Sequence, residues 1–208
     1  MQTKFYFTLI LIAGFTLTAC NNGQKNETLS EDVVVTEEDN GLQPDLSSAT
    51  VQWTAFKTTE KVPVKGHFTE IELSNFREGN TLEEVLDHVQ FKLNAFKSDT
   101  EDPDRDETIK KNFFEKMMEP GSISGKFVYA SDGWYMDIKM NGVNVKLPVE
   151  IDFVDNVAQL SATLDLNDFK ALNALKALND ACHDLHMGGD GVSKTWEVVE
   201  VNASLAFN

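Results

Sequence analysis

The feature that most limits the fold of this chain is a two-residue periodicity that begins near residue 50. Apolar and polar residues alternate in short segments, of which the longest runs from Val143 to Phe153. Successive side chains of a strand point to opposite faces, so this alternation is typical of strands with one buried face. We predict eight such strands, over residues 51–55, 64–74, 89–95, 123–129, 134–140, 143–153, 157–166 and 195–207.

Short turns separate most of these strands, which favours antiparallel neighbours. Asn141-Gly142 lies between two alternating runs, and this dipeptide is the strongest short-range signal for a hairpin. The segments 130–133 and 155–156 have similar turn sequences. Gly66, inside the second predicted strand, is consistent with a bulge.

Two other segments have a helical period. They cover residues 104–117 and 169–182, with apolar faces at Ile109, Phe113 and Met117 and at Leu172, Leu175 and Leu178. Asp104 and Glu107 resemble a capping box, and Asn167 or Asp168 is expected to cap the second helix. Helices of this length are marginal in isolation, so we expect both to pack on the sheet.

An antiparallel sheet with one apolar face must close on itself or pack against a second layer. We therefore predict a mainly β fold, an eight-stranded antiparallel β-barrel with one or two short helices. A β-sandwich is the alternative. Long runs such as Val143 to Phe153 favour the barrel, because barrel strands are tilted.

The first twenty residues predict an exported lipoprotein. Lys4 precedes an apolar run over residues 5–17 that is too short to span a bilayer permanently, and Leu17-Thr18-Ala19-Cys20 follows it. This run resembles a lipobox, so we expect a signal peptide at residues 1–19 and lipid, including palmitate, on Cys20. An ordinary secretory signal is the alternative. Because Asn21 is not the aspartate that commonly retains lipoproteins at the inner membrane, we expect an outer-membrane anchor facing the periplasm.

Residues 20–49 contain seven acids, one lysine and no aromatic residue, which predicts a disordered acidic linker before a domain at 50–208. The net charge of −16 argues against nucleic acid and anionic lipid surfaces as partners. With Cys20 carrying lipid, Cys182 has no partner in the chain, and we interpret it as a small buried hydrophobe.

Several motifs resemble the YceI-like family, in which lipocalin-like periplasmic barrels bind polyisoprenoid lipids. The resemblance spans residues 49–207 and rests on an ordered set of segments: Val51 to Lys57, Val64 to Phe68, Arg105-Asp106, Ile109, Phe113-Phe114 and Gly142 to Val149. Many members have a Tyr-Pro pair after the double phenylalanine, whereas here Met118, Glu119 and Pro120 stand there without a tyrosine. This departure concerns a segment that lines or caps the expected cavity.

The resemblance implies a lipocalin-like barrel with an internal tunnel for a long apolar lipid, and no cofactor other than this ligand. The candidate tunnel residues are Trp53, Phe68, Phe91, Leu93, Phe113, Phe127, Trp134, Met136, Ile138, Val145, Leu147 and Val149. His67 and Arg105 are candidates for a polar head group at the mouth, although Arg105 is equally suited to an ion pair with Glu101 or Asp102. In the alternative, these side chains fill the barrel, and the protein is a non-catalytic envelope protein that binds a partner through its outer surface.

Catalytic and metal sites receive little support from the sequence. The run Gly121-Ser122-Ile123-Ser124-Gly125 has isoleucine where a nucleophile elbow needs serine, so we expect no enzyme. Asp102-x-Asp104-x-Asp106 mimics the start of a calcium loop, but Glu107 and Phe113 stand where glycine and glutamate belong. A zinc or copper group at Cys182, His183, His186 and Asp190 stays open as an alternative to helix-end histidines.

Overall fold

The computed structural model of the protein describes residues 41–208, so the predicted signal peptide, Cys20 and the first part of the predicted linker lie outside it. The linker prediction is wrong for residues 44–49, which begin the first strand, β1 (Pro44–Lys57). Pro44 and Asp45 pair with the last strand, and a register shift follows them. Asp45 accepts hydrogen bonds from the backbone and hydroxyl of Ser47, so polar side chains that suggested a linker stabilise this irregular strand start.

Within residues 41–208, ten strands form one antiparallel sheet, which confirms the mainly β fold. After β1 come β2 (Val62–Phe68), β3 (Ile71–Ser74), β4 (Gln90–Asn94), β5 (Ser98–Asp99), β6 (Ser122–Ala130), β7 (Gly133–Met140), β8 (Val143–Val154), β9 (Val157–Asp165) and β10 (Val198–Phe207). Their order in the sheet is β3-β4-β6-β7-β8-β9-β10-β1-β2-β5. The sheet is strongly curled and matches a lipocalin-like barrel.

The count of ten rather than eight arises from two bent segments. The strand predicted over residues 64–74 is β2 and β3, separated by Thr69 and Glu70. The strand predicted over residues 89–95 continues through a 3₁₀ turn at Ala95–Lys97 into the two residues of β5. The segment that contains β2 and β3 pairs with β1 through β2. It also pairs with the segment that contains β4 and β5, through β2–β5 and β3–β4. Because β4 in turn pairs with β6, the strand pairings continue around the whole barrel.

The predicted turns are confirmed. Asn141 and Gly142 connect β7 to β8 with φ of 53° and 75°, and Asp155 and Asn156 connect β8 to β9 with φ of 52° and 60°. Two consecutive left-handed residues match the twist of the flanking strands, which is why such dipeptides favour hairpins. Gly66 is not a bulge: it pairs directly with Trp53, and its missing side chain leaves room for the indole.

Both predicted helices are present but shorter. The first, α2 (Pro103–Asn112), is capped by Asp102, whose side chain accepts from the Arg105 backbone, so the predicted box at Asp104 is wrong. Pro103 occupies the first turn, where a missing N–H costs nothing. The second, α3 (Leu172–Ala181), has no side-chain cap, so Asn167 and Asp168 are not its caps. Lys170 has φ of 54°, a left-handed conformation that stops the helix from starting earlier.

A third helix, α1 (Leu82–Leu86), was not predicted. The hydroxyl of Thr81 accepts from the Glu84 backbone, and the Glu84 carboxylate accepts from the Thr81 backbone, which is a complete capping box. Val85 in this helix and Val89 after it are fully buried. The helix therefore packs into the hydrophobic core of the barrel. No helix of residues 41–208 is long and apolar enough to cross a membrane.

Candidate functional site

The barrel interior contains an apolar chamber of about 140 Å³, which we call the inner chamber. Side chains from β1 to β4 and β6 to β10 line it, and α1 contributes Leu86. Apart from Thr50 and Ser204, its lining residues are all apolar. An apolar cavity of this kind stays dry and accepts apolar molecules.

A second chamber of about 470 Å³, the outer chamber, lies between the sheet and the helices. Its walls come from β1, β2, β6, β7, β9 and β10, from α2 and α3, and from the 3₁₀ turns at Phe114–Lys116 and His183–His186. Unlike the inner chamber, it carries charged side chains such as Lys57 and Asp104, together with His186. A chamber with apolar walls and a few polar groups is typical of sites for amphiphilic ligands.

Five residues line both chambers and form a septum between them: Phe68, Ile123, Met140, Leu164 and Val201. Phe68 packs on Phe114 with ring centroids 6.4 Å apart, and Met140 is buried. The septum consists of side chains alone, and methionine is a flexible one. The two chambers are thus separated by groups that rotamer changes can move.

Eight of the twelve predicted tunnel residues line a chamber. Phe68, Phe91, Leu93, Phe127, Met136 and Ile138 line the inner one, whereas Trp53, Phe113 and again Phe68 line the outer one. The other four, Trp134, Val145, Leu147 and Val149, line neither chamber and pack in the hydrophobic core. Trp134 packs against the exposed Tyr129 with ring centroids 4.9 Å apart.

The prediction missed chamber residues of the last two strands, such as Leu160, Leu164, Val201, Ala203 and Leu205. They belong to the same face as the predicted ones, because Ala203 pairs with both Val51 and Leu160. The alternation in β9 and β10 was therefore a sufficient signal for them. The helix residues Leu175 and Leu178 of the outer chamber carry no such signal, because only the packing of α3 brings them there.

The two predicted head-group residues occupy different places. Arg105 lines the outer chamber, and its guanidinium is 3.1 Å from Asp102, the ion pair given as the alternative. His67 lines neither chamber; it pairs with the exposed Gln52, on the face of β2 opposite to that of Phe68. Strand alternation turns the His67 side chain outward, and its role as a head-group residue stays a prediction.

His67 instead borders a surface groove at a gap in the sheet. Pairing between β1 and β2 ends at Gln52 and His67. After β2 the chain bends away from β1, and the next strand, β3, pairs with β4 instead. The groove is lined in part by Leu46, Val51 and Ile71, and Val51 and Ile71 also line the inner chamber. At this gap the surface groove and the inner chamber therefore share lining residues.

A polar wall lies in the outer chamber around His186. Its Nδ1 is 2.6 Å from the Thr195 hydroxyl, which donates to Asn179 at 2.8 Å. Because that hydroxyl donates to Asn179, the imidazole Nδ1 is the donor in this contact. Burial and then the charge of Lys57 lower the pKa of His186 below 6.5, so the ring is neutral at pH 7.

Cys182 lies in the same wall and is buried, as the sequence predicted. Burial raises the pKa of its thiol, so the thiolate is scarce at neutral pH. Within residues 41–208, no three histidine, cysteine or acidic side chains lie close enough to hold a metal ion. The acidic loop has structural contacts instead, since Asp102 caps α2 and Asp106 accepts from the backbone and hydroxyl of Thr100.

The comparisons with known proteins concern almost exactly the described region. The family model for the YceI-like domain matches residues 41–207. A polyisoprenoid-binding domain from Saccharophagus degradans, implicated in plant cell wall breakdown, has a TM-score of 0.58 at 10% identity, over 81% of this chain and 98% of that one. BcnA of Burkholderia cenocepacia has a TM-score of 0.52 at 13% identity, over 78% and 98%. No curated protein matches the chain.

Proposed function

Because the chain belongs to the YceI-like domain family, we propose that its barrel binds a long apolar lipid of the polyisoprenoid type. The observation that carries this proposal is the inner chamber, an apolar space inside the barrel that side chains leave unfilled. A barrel with only a structural role would gain stability from filling such a space, since cavities cost about 20 cal/mol per Å² of their surface. A site for an apolar ligand must keep it open.

The volumes indicate how such a ligand is accommodated. A cavity of about 150 Å³ holds one benzene molecule, so the inner chamber, at about 140 Å³, takes roughly one isoprene unit. The outer chamber, at about 470 Å³, has the size of a site for a larger molecule. A long chain therefore places its end in the inner chamber and continues past the septum at Met140 into the outer one.

The proposal includes the anchor. Cys20 in its lipobox carries lipid, and the acidic segment after it tethers the barrel to the outer membrane, facing the periplasm. What supports this is the sequence: the apolar run, the small residue before Cys20 and the composition of the linker. A lipid-anchored barrel stays close to hydrophobic ligands that otherwise remain in the bilayer. We propose a binding role without catalysis. In keeping with this, Ile123 lies in strand β6 and lines the inner chamber, whereas a nucleophile elbow would place a serine at a tight turn there.

The test is extraction of lipid from the full-length protein purified from bacterial membranes. We expect mass spectrometry to find a stoichiometric isoprenoid, and Ala203→Phe, which fills part of the inner chamber, to remove it. The matched control is Asn202→Phe, at the adjacent exposed position of β10, which should retain the lipid. Wild-type protein that carries no lipid, and binds none after delipidation, would contradict the proposal.

The anchor has its own test. Cys20→Ser should release the protein from the membrane fraction and remove a mass increment of acyl groups from the mature chain. Membrane association that persists in this variant would show that Cys20 is not the anchor. The lipid content of the barrel is expected to be independent of this substitution, provided that the protein is still exported.

A further inference from the structure

The barrel wall is interrupted between β1 and β3. Strand β1 pairs with β2 only from Gln52 onward, so its residues 44–51 face β3 across a gap, which we call the seam. Strand β3 pairs with β4 on its other edge, and no hydrogen bond joins residues 44–51 to residues 69–74 in the described part of the chain. Side chains can therefore move apart at the seam without the loss of a backbone hydrogen bond, which an opening between paired strands would require.

The seam separates the inner chamber from the surface groove, which has a volume of about 510 Å³. The residues that line both spaces are Ala49, Thr50, Val51, Phe68 and Ile71. Phe68 also lines the outer chamber, so its side chain stands where all three spaces meet. The surface groove thus continues the path that leads from the outer chamber through the inner one, and no strand pairing closes this path at the seam.

The surface groove is uncharged, although the net charge of the chain is −16. No Asp, Glu, Lys or Arg side chain of the described residues lines it, and Leu46, Val51 and Ile71 give it apolar walls. Leu46 is 52% exposed, because it lies where the register between β1 and β10 shifts. An uncharged groove with an exposed leucine, continuous with an apolar chamber, suits a hydrocarbon chain rather than a charged partner.

The two chambers alone are too small for a long isoprenoid. The inner chamber takes roughly one isoprene unit, and at the same scale the outer chamber of about 470 Å³ takes about three more. The remaining units of a longer chain need a space that continues the same path. The surface groove is comparable in volume to the outer chamber, and a hydrocarbon chain that lies in it removes Leu46 from water.

We propose that the seam is a side opening of the barrel, through which the distal end of an isoprenoid too long for the chambers leaves and lies in the surface groove. This inference rests on the proposed function and adds to it a binding surface outside the barrel. A chain that fits the two chambers ends in the inner one, whereas a longer chain passes between the half-buried side chains of Val51 and Ile71. The volume of the chambers then sets no upper limit on chain length.

The experiment locates the distal end of two isoprenoids of different length. Farnesol and the much longer solanesol are each prepared with a photoreactive diazirine at the end opposite the hydroxyl. Delipidated full-length protein is loaded with one probe and irradiated, and mass spectrometry of its peptides identifies the labelled residues. We expect the farnesol probe to label inner-chamber residues such as Leu160 and Leu205. The solanesol probe should label Leu46 and Ser47, which line the surface groove but neither chamber.

A variant that obstructs the surface groove tests the path of the chain. Gln52 is exposed on β1 and lines the groove but neither chamber. Gln52→Trp, which introduces a side chain well suited to strands, should abolish the labelling of Leu46 and Ser47 by the solanesol probe and leave the farnesol labelling unchanged. The matched control is Lys65→Trp, at an exposed position of β2 that lines neither the groove nor a chamber, and its labelling should equal that of the wild type.

Three outcomes would overturn the inference and leave the proposed lipid binding intact. If the solanesol probe labels only chamber residues or the helices α2 and α3, the excess chain stays inside the barrel or at the outer chamber. If the farnesol probe binds and the solanesol probe does not, the barrel is closed at the seam. Groove labelling that persists unchanged in Gln52→Trp contradicts the path assigned to the chain. Binding of neither probe, in contrast, contradicts the proposed function itself.

Discussion

Replacement of Asn141 by glycine should destabilise the barrel far more than its position in a turn suggests. Asn141 is almost completely buried, at 2% exposure. Its side-chain oxygen accepts a hydrogen bond from the Met118 backbone N–H, and its amide donates to the Phe169 carbonyl at 2.8 Å. One side chain thus connects the β7–β8 turn to the segments that follow α2 and precede α3, both of which border the outer chamber.

The expected magnitude follows from the two backbone groups that lose their partners. A buried polar group without a hydrogen bond costs about 1–3 kcal/mol, so the loss of two such bonds in Asn141→Gly should lower the free energy of unfolding by about 2–6 kcal/mol. Glycine also adopts the left-handed φ of 53° without strain, so the substitution removes hydrogen bonds and leaves the turn conformation unaffected. Urea denaturation followed by tryptophan fluorescence measures the change.

Asn156 provides the matched control. It has φ of 60° in the β8–β9 turn, but it is exposed, and its side chain makes no hydrogen bond with the described residues. Asn156→Gly should therefore change the free energy of unfolding by no more than about 0.5 kcal/mol. Equal stability of the two variants would refute the reasoning, because it would mean that the side-chain contacts of Asn141 contribute nothing. Asn141→Ala should cost about 1–2 kcal/mol more than Asn141→Gly, from the left-handed φ.

Three further changes have defined outcomes. Leu164→Ala, in the septum, should lower the free energy of unfolding by about 2–5 kcal/mol and shift preference toward longer isoprenoid alcohols, as calorimetry with a chain-length series would measure. Gly66→Ala should cost about 1–3 kcal/mol in urea denaturation, because a Cβ there overlaps the Trp53 indole. Folding lowers the pKa of His186 below 6.5, so as the pH falls this side chain binds a proton more readily in the unfolded chain than in the folded one. Protonation therefore favours unfolding, and the melting temperature should fall as the pH drops below 6.5.

Each of these changes has a control. Thr163→Ala, at the exposed position before Leu164, should leave both stability and chain-length preference unchanged. The control for Gly66→Ala is Gly189→Ala, where the new Cβ would meet only a carboxylate oxygen at 3.5 Å, so this variant should be as stable as the wild type. If Gly66→Ala were as stable as Gly189→Ala, the packing argument would be contradicted. His186→Gln should flatten the pH dependence below 6.5, and an unchanged slope in that variant would assign it to other groups.

The sequence predicted the strands well because their signals are local. Alternation over a few residues marks the buried face of a strand, and left-handed dipeptides such as Asn141-Gly142 mark the turns between strands. The division of residues 64–74 into two strands was not predictable, because the bend after Phe68 depends on a change of partner from β1 to β4. Helix bounds were less accurate for a similar reason, since Lys170 takes a left-handed conformation that its residue type does not favour.

The residues of the candidate site were likewise predictable only where the signal was local. Alternation identified chamber residues such as Phe91 and Met136, because the inner face of a barrel and its cavity are the same surface. It also selected Trp134 and Val149, because alternation distinguishes an inward side chain from an outward one but not an open part of the interior from a filled one. The side chain of His67 lies on the outer face of β2, because its neighbour Phe68 occupies the inward position.

The sequence by itself determined that this chain forms an antiparallel barrel with an apolar interior, since each strand and turn depends on residues adjacent in the chain. Only the tertiary structure decided where that interior is empty, which five side chains divide it, and that β1 and β3 leave a seam in its wall. Asn141 combines both kinds of information. Its left-handed turn is a local property, whereas its contacts with Met118 and Phe169 join residues 23 and 28 positions away. Contacts of that range depend on how the whole sheet curls, and no short sequence pattern encodes them.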